Sequence, residues 1–559
     1  MTATALSFVF AFVLLLGVLI AVHEFGHFLA AKLCGVRVLK FCLGFGPPVG
    51  VGRFRLRWER GGTEYVIAWF PLGGFVKMLG ENPGDEDSPE ALASVEETLG
   101  AKPIWQKLAI VFAGPFMNLI LPVFIFAGSL FVGIDRPAAV VGTVERGSPA
   151  EAAGLAPGDR ILAVDGEPVR FWTEVEDAIR AQPGGRIALD AERGERRFPV
   201  VIDVVERPGL DEFRLISDVG WVGLRYARQR AVLGIPDADS PAPRAGLRSG
   251  DRVVQVDGRP VEDFTGFAAA YAARGTGGEV ELSIERGADE AKQTQVVRVP
   301  ALGDPATLGV IPASVLVSEV TPGRPAERAG LARGDLVLAV DGEPVGSFAS
   351  FAETVRASKG RPLRVAYARD GQTRTLEIAA ELQTVETGGL EEEAWLIGIV
   401  AEDVTLMGAT LLDRTLNPFV AFPRAVAMTA ETTTRFLRGF GKMVTGEISR
   451  RQIGGPIEIG RQAHLALQAG WDRYLELLII ISINLGILNL LPIPILDGGQ
   501  ALLFLVEGVR RGPLSLRTRE IVQQFGFFLL VAIMGFAFWN DVTRNWSRLV
   551  EWVRESAGL

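Results

Sequence analysis

At 559 residues, with 48% apolar and 22% charged residues and a formal net charge of -9, the chain is not a collagen, a coiled coil or a wholly disordered polymer, and no basic stripe marks a nucleic-acid binder. Its two cysteines, Cys34 and Cys42, provide neither a disulfide framework nor a multi-cysteine zinc site. Uncharged apolar runs lie before residue 135 and after residue 474, while the middle is charged and rich in Gly and Pro, the pattern of a membrane protein carrying a large soluble insert.

Residues 3–22 are apolar throughout, long enough for a hydrocarbon core of about 30 Å. They read as a span rather than a signal peptide, because no Lys or Arg precedes Lys32 and no small-residue cleavage site precedes His23. Immediately after comes His23-Glu24-Phe25-Gly26-His27. If the helix continues, both imidazoles share one face and can grip one metal ion, with Glu24 placed to take a proton from metal-bound water. Ionisable groups at the end of a membrane helix are costly and mark function, whereas a bare five-residue motif elsewhere would be a weak signal.

Between Arg53 and Met78, Phe54, Leu56 and Trp58 alternate with arginines, and Gly61-Gly62 turns the chain into a second alternating run that includes Val66, Ile67 and Ala68. This predicts a β-hairpin. Residues 82–100, acidic and Pro-containing, read as a solvated linker. A second span covers 108–134 and contains Pro115 and Pro122, which membrane helices tolerate. A third is expected at 475–491 and a fourth at 521–539. Basic residues crowd the loop from Lys32 to Lys107 and recur at Arg510, Arg511, Arg517 and Arg519. Both loops are therefore expected on the cytoplasmic side, with the insert and both termini outside.

The insert carries an internal repeat. Ala153-Gly154-Leu155, then Gly158-Asp159 and Val164-Asp165-Gly166, returns as Ala245-Gly246-Leu247, Gly250-Asp251 and Val256-Asp257-Gly258. It returns again as Ala329-Gly330-Leu331, Gly334-Asp335 and Val340-Asp341-Gly342. In each copy a short helix ends on glycine, a strand follows, Asp-Gly turns it, and a helix and another strand come next. The pattern resembles circularly permuted PDZ domains, which bind extended peptides or chain ends by strand addition. In the second copy Ile235-Pro236-Asp237 stands where a peptide-binding strand is expected, so that copy reads equally as a spacer. Farther on, Phe436, Leu437, Phe440, Met443 and Val444 at helical spacing, beside Arg435, Arg438 and Lys442, predict an amphipathic helix on the outer membrane surface or against the insert.

Two histidines are one protein ligand short of a catalytic zinc site. The remaining histidine, His464, belongs to the insert and reads as a surface or packing residue. Asp497 stands after Pro492 and Pro494, where the third span breaks at the expected cytoplasmic edge, and can complete the set.

His-Glu-Phe-Gly-His, the stretch from Asn489 to Asp497, and the intervening PDZ signatures together resemble the site-2 protease family, and within it the bacterial sigma-E regulators. Gly114-Pro115-Phe116-Met117-Asn118 and Gly454-Gly455-Pro456-Ile457 share in the likeness. The resemblance implies a zinc-dependent intramembrane endopeptidase of the bacterial inner membrane. Its substrates would be single-span membrane proteins already trimmed by another protease, such as an anti-sigma factor, or remnant signal peptides. It implies His23, His27 and Asp497 as Zn2+ ligands, Glu24 as general base, and Asn489, assisted by Asn484, as contacts to the substrate backbone. The hairpin becomes a membrane-reentrant β-loop, with Val66, Ile67 and Ala68 receiving substrate as an added strand. Two features depart from those relatives: three PDZ signatures instead of two, and Gln500 where histidine is expected after Asp-Gly-Gly.

The expected fold is thus a polytopic α-helical membrane protein of four transmembrane helices, with a periplasmic array of α+β PDZ domains and a cytoplasmic membrane-associated β-hairpin. The expected segments are 1–33, 34–103 (hairpin), 104–135, PDZ domains at 136–210, 220–302 and 308–383, a linker at 384–472, then 473–498, 499–520 and 521–559. Lipid, membrane substrates and peptide ligands of the PDZ domains are the expected partners. The competing reading is a membrane-anchored PDZ scaffold with an inactive site, for which Glu24 and Asp497 would have no use.

Overall fold

The computed structural model describes residues 3–51, 54–81, 95–213, 215–287, 292–387, 390–448, 454–512 and 514–544. Most of the expected linker at 82–100 and the tail after 544 lie outside them. The chain divides into two compact units, Met1–Ile134 with Arg414–Leu559, and Asp135–Asp413.

The first unit begins with helix α1 (Ala3–Leu33), which carries the apolar run straight through the histidine motif. It stops where Gly35 takes a left-handed φ of 66° and Val36 donates back to the Ala31 carbonyl. Strands β1 (Val38–Pro48), β2 (Arg57–Arg60) and β3 (Thr63–Met78) follow, with Gly61 and Gly62 at positive φ in the β2–β3 turn. The 16-residue β3 is unusually long and wraps around β1. Its first half pairs with one side of β1 (Cys42 opposite Val66, Leu43 opposite Ile67) and its second half with the other (Leu43 opposite Gly74, Cys42 opposite Phe75). Because β2 lies outside the first half (Arg57 opposite Val66) and the Ile67 N–H donates to the Leu56 carbonyl, Val66 and Ile67 are paired on both sides, while Ala68 lies opposite Pro48. Among the described residues, the half of β3 from Gly74 to Lys77 pairs with no second strand. Phe54, Trp58, Trp69 and Phe70 remain exposed on this loop, as an apolar solvent would allow.

Helix α2 (Ile104–Val132) includes both prolines and packs along α1. After the insert come α3 (Pro418–Thr445), α4 (Pro456–Ala469), α5 (Trp471–Asn489), α6 (Asp497–Arg510) and α7 (Leu516–Arg544). Stretches of α1, α2 and α7 are long and apolar enough to cross a membrane (Leu6–Leu33, Ile104–Val132 and Arg517–Thr543). Helix α5 falls short of that measure because Asp472, Arg473 and Glu476 occupy its first turns. The expected amphipathic segment is part of α3, which lays Ala421, Ala425 and Thr429 in a buried stripe and packs along α2, with the Phe422 ring between those of Phe124 and Phe131. Part of the loop expected at 499–520 is helical, as α6. His464, on α4, is buried rather than superficial, with Nδ1 3.2 Å from the Ser7 hydroxyl. Asp541 near the end of α7 is fully buried and accepts the backbone N–H groups of Gly455, Ile457 and Glu458 at 2.8 to 3.2 Å, capping α4.

The second unit contains three four-stranded sheets of the same order, one per repeat. Each has its own core, around Ile161, Trp172 and Ile187 in the first, Val253, Phe267 and Tyr271 in the second, and Val337, Phe351 and Leu363 in the third. The cores extend past the expected ends of the domains, because a later strand returns to close each one. Leu224–Arg225 pairs with Thr143–Val144, Ile311–Pro312 with Leu233–Gly234, and Ile399–Ala401 with Val317–Val320. The Gly-Asp of every signature is explained by one network. Asp159, Asp251 and Asp335 are buried and pair with Arg193, Arg286 and Arg369 at 2.6 to 2.7 Å, and those guanidinium groups also donate to the Gly154, Gly246 and Gly330 carbonyls. In the second copy the returning strand contains Pro312, which has no N–H to offer a peptide, and Val232, Ala313 and Leu316 are buried with Leu336, Ala368 and Val404 of the region around the third copy.

Candidate metal centre and active site

His23 and His27 lie one turn apart on α1, and Asp497 is the first residue of α6. His23 Nε2 is 3.2 Å from Asp497 Oδ2, His27 Nε2 is 3.5 Å from Oδ1, and the two Nε2 atoms are 3.3 Å apart. The three ligand atoms all lie within 4.8 Å of one another, and this is the one such group among the described residues. Two imidazoles and a carboxylate are a zinc donor set with room for a water.

Small residues make the approach possible. A Cβ on Gly114 of α2 would stand 2.2 Å from His27 Nε2, and one on Gly26 of α1 would stand 2.3 Å from the Ala113 carbonyl oxygen. The α1–α2 crossing thus works only with glycine at both places. Gly498 and Gly499 allow α6 to start against the backbone of Leu490, Leu491 and Ile493, which brings Asp497 back toward α1. The His27 Nδ1–H donates to the Ile110 carbonyl at 2.8 Å, leaving Nε2 bare. His23 Nδ1 lies 3.2 Å from the Asn118 amide. Gly74, on the half of β3 that pairs with β1 alone, packs so closely that a Cβ there would be 2.8 Å from Glu24 Cγ.

Residues 11–533 match the profile of peptidase family M50. The chain belongs to that family. M50 peptidases are the site-2 proteases, membrane zinc metalloproteases. Among similar proteins are the regulator of sigma E protease of Salmonella typhi, 31% identical over 534 residues (96% of this chain, 98% of the relative), and the regulator of sigma-E protease RseP of Escherichia coli K12, 30% identical over the same length and shares. An inferred zinc metalloprotease of Neisseria meningitidis serogroup A is 31% identical over 547 residues, 97% of this chain and 99% of that one. The solved PDZ domain of an SdrC-like protein from Listeria monocytogenes is 21% identical over 16% of this chain and 88% of its own, with a TM-score of 0.13.

Within this M50 chain the sequence-predicted His23, His27 and Asp497 come together, with Glu24 beside them on α1. Asn484 and Asn489 lie on α5, where Asn484 Oδ1 is buried without a hydrogen-bond partner and Asn489 is the last helical residue. Gly114 and Asn118 were visible only as part of a family-like motif. The physical cue to them was a lone Asn in an apolar span, one turn after a Gly, matching the one-turn spacing of the histidines.

Proposed function

We propose that this M50 protease cuts within the membrane segments of single-span proteins that another protease has already shortened, an anti-sigma factor or remnant signal peptides among them. The convergence of His23, His27 and Asp497 beside Glu24 carries the reading. In it these three residues hold Zn2+. When bound, the ion acidifies water and polarises the scissile carbonyl. Glu24 takes the proton of the attacking water and passes it to the leaving amine.

A helical substrate conceals its peptide bonds, so it must unwind. An unpaired strand edge next to the base would hold the opened chain, and the Gly74–Lys77 half of β3 offers one where Val66 and Ile67, paired on both sides, do not. Asn489 and Asn484 would hydrogen-bond the substrate backbone from the other side. In this proposal α5 is the third of four spans, shortened by its charged first turns. The basic loops put the site on the cytoplasmic side of the inner membrane and the PDZ array in the periplasm, where it filters substrates by the size of their outer part. The first and third copies carry the peptide-binding role, and the second is a spacer.

The test is cleavage of a tagged single-span substrate with a shortened outer domain by the purified chain in detergent. Glu24→Gln is expected to abolish cleavage with zinc still bound. If the parent holds zinc yet leaves several pre-trimmed substrates uncut, the scaffold reading replaces this one.

A further inference from the structure

Asn118 is fully buried on α2, one turn beyond Gly114. Its Nδ2 lies 3.2 Å from His23 Nδ1, while its Oδ1 is buried with no hydrogen-bond partner. In that orientation the amide donates to a bare Nδ1, so the His23 proton sits on Nε2, facing Asp497 Oδ2 at 3.2 Å. Such a tautomer cannot ligate through Nε2.

The two ends of an asparagine amide have nearly the same shape, so turning it by half a revolution changes no packing. The oxygen then faces His23 Nδ1, which must carry the proton, and Nε2 is bare. His27 already has this arrangement, because the Ile110 carbonyl can only accept, and so takes the His27 Nδ1–H. With both imidazoles so fixed, two nitrogen lone pairs and a carboxylate face one another at 3.2 to 3.5 Å, a cluster that needs a cation at its centre.

We propose that Asn118 is a positioning residue for the metal centre, its side-chain oxygen accepting the His23 Nδ1–H and holding Nε2 bare for the ion. This rests on the reading of His23, His27 and Asp497 as ligands. It also accounts for Gly114-Pro115-Phe116-Met117-Asn118 as a unit: Gly114 admits the His27 ring, and Asn118, one turn on, meets His23, one turn back on α1. A hydrogen bond from the Ser482 hydroxyl to the Asn118 carbonyl ties this turn of α2 to α5.

The experiment is zinc affinity of the purified full-length chain in detergent, by competition with a chromophoric chelator, alongside the melting temperature of the metal-free form. Asn118→Leu, similar in volume but without an acceptor, is expected to weaken zinc binding by roughly 10- to 100-fold. Asn118→Asp, which keeps an oxygen in place, is expected to bind zinc as tightly as the parent, with the metal-free melting temperature the same in all three. If the leucine variant fails to fold, Asn118→Ala against Asn118→Asp makes the same comparison. Parent-like zinc affinity in the leucine or alanine variant would overturn the proposal. So would equal weakening in the aspartate variant with a lowered metal-free melting temperature, which would mark a packing role. His23→Ala separates the two layers: if it binds zinc like the parent, the ligand assignment itself falls.

Discussion

Replacing Gly114 with alanine probes the α1–α2 crossing at the metal centre with a single methyl group. The new Cβ would lie 2.2 Å from His27 Nε2, 2.6 Å from Cε1 and 2.8 Å from Cδ2, where ordinary contact begins at 3.4 Å. The ring must retreat by about 1.2 Å, the difference between 2.2 and 3.4 Å, or the helices must part by a similar amount. Neither is free, because His27 is tethered through Nδ1 to Ile110 on the helix that carries the new methyl, and Gly26 already touches Ala113. A misplacement of about 1 Å at a reacting centre costs on the order of 100-fold in rate. Gly114→Ala is therefore expected to lower kcat/KM on the shortened single-span substrate by about 100-fold or more, with zinc content falling in parallel. Gly128→Ala is the control. It lies on the same helix with nothing within 4 Å of its Cβ, and should cleave like the parent. A Gly114→Ala protein with parental cleavage and zinc content would refute the site geometry described above.

Asp541→Ala removes the shared acceptor of three backbone N–H groups at the start of α4. A loss of about 2 kcal/mol or more is expected, read as a lower melting temperature in detergent, with zinc retained. Arg369→Met leaves the fully buried Asp335 carboxylate without its guanidinium partner and should cost about 3 kcal/mol, the lower end for a broken buried pair, because the Ala332 N–H still reaches that carboxylate. Arg374→Met, at an exposed position, should leave the melting temperature unchanged. In the insert, the Arg364 backbone N–H, then the Arg361 guanidinium, hold the Asp341 carboxyl below its usual range, and the Ala188 N–H, then the Gln182 amide, do so for Asp165. A depressed folded pKa means stability that is present above the unfolded value of about 3.9 and is lost as pH falls through the lower folded value. Asp165→Asn with Asp341→Asn should thus flatten the fall in melting temperature below about pH 4. The change will be small because both groups are exposed, and an unchanged acid slope would count against the assignment.

What could be read in the sequence was whatever local periodicity or fixed spacing specifies. His23 and His27 at helical spacing need only that α1 continue, and it does, so the donor pair was legible without knowledge of the rest of the fold. Asp497 was legible as a candidate third ligand because two prolines break the expected third span just before it, on the side expected for the histidines. The Asp-Gly turns were equally local, and Asp165, Asp257 and Asp341 all take the left-handed φ of 46 to 51° that such turns ask for. The partners of the Gly-Asp aspartates were not. Arg193, Arg286 and Arg369 lie 34 or 35 residues beyond Asp159, Asp251 and Asp335, which they neutralise, and an arginine at a strand end looks like any exposed charge until the sheet closes.

The hairpin shows the same limit most plainly. Alternation revealed strands, but alternation is identical for an edge strand and a central one. Which half of β3 is free depends on its wrapping around both sides of β1, a tertiary event. The one local hint was Gly73-Gly74, a weak point in a 16-residue run, where the strand passes Phe45 and then Glu24 too closely for any side chain. The glycine at that point is what lets an unpaired backbone edge run within reach of Glu24. In the proposed function, a substrate strand added there would have its peptide bonds beside Glu24, whereas one aimed at Val66 and Ile67 would meet backbone already paired on both sides.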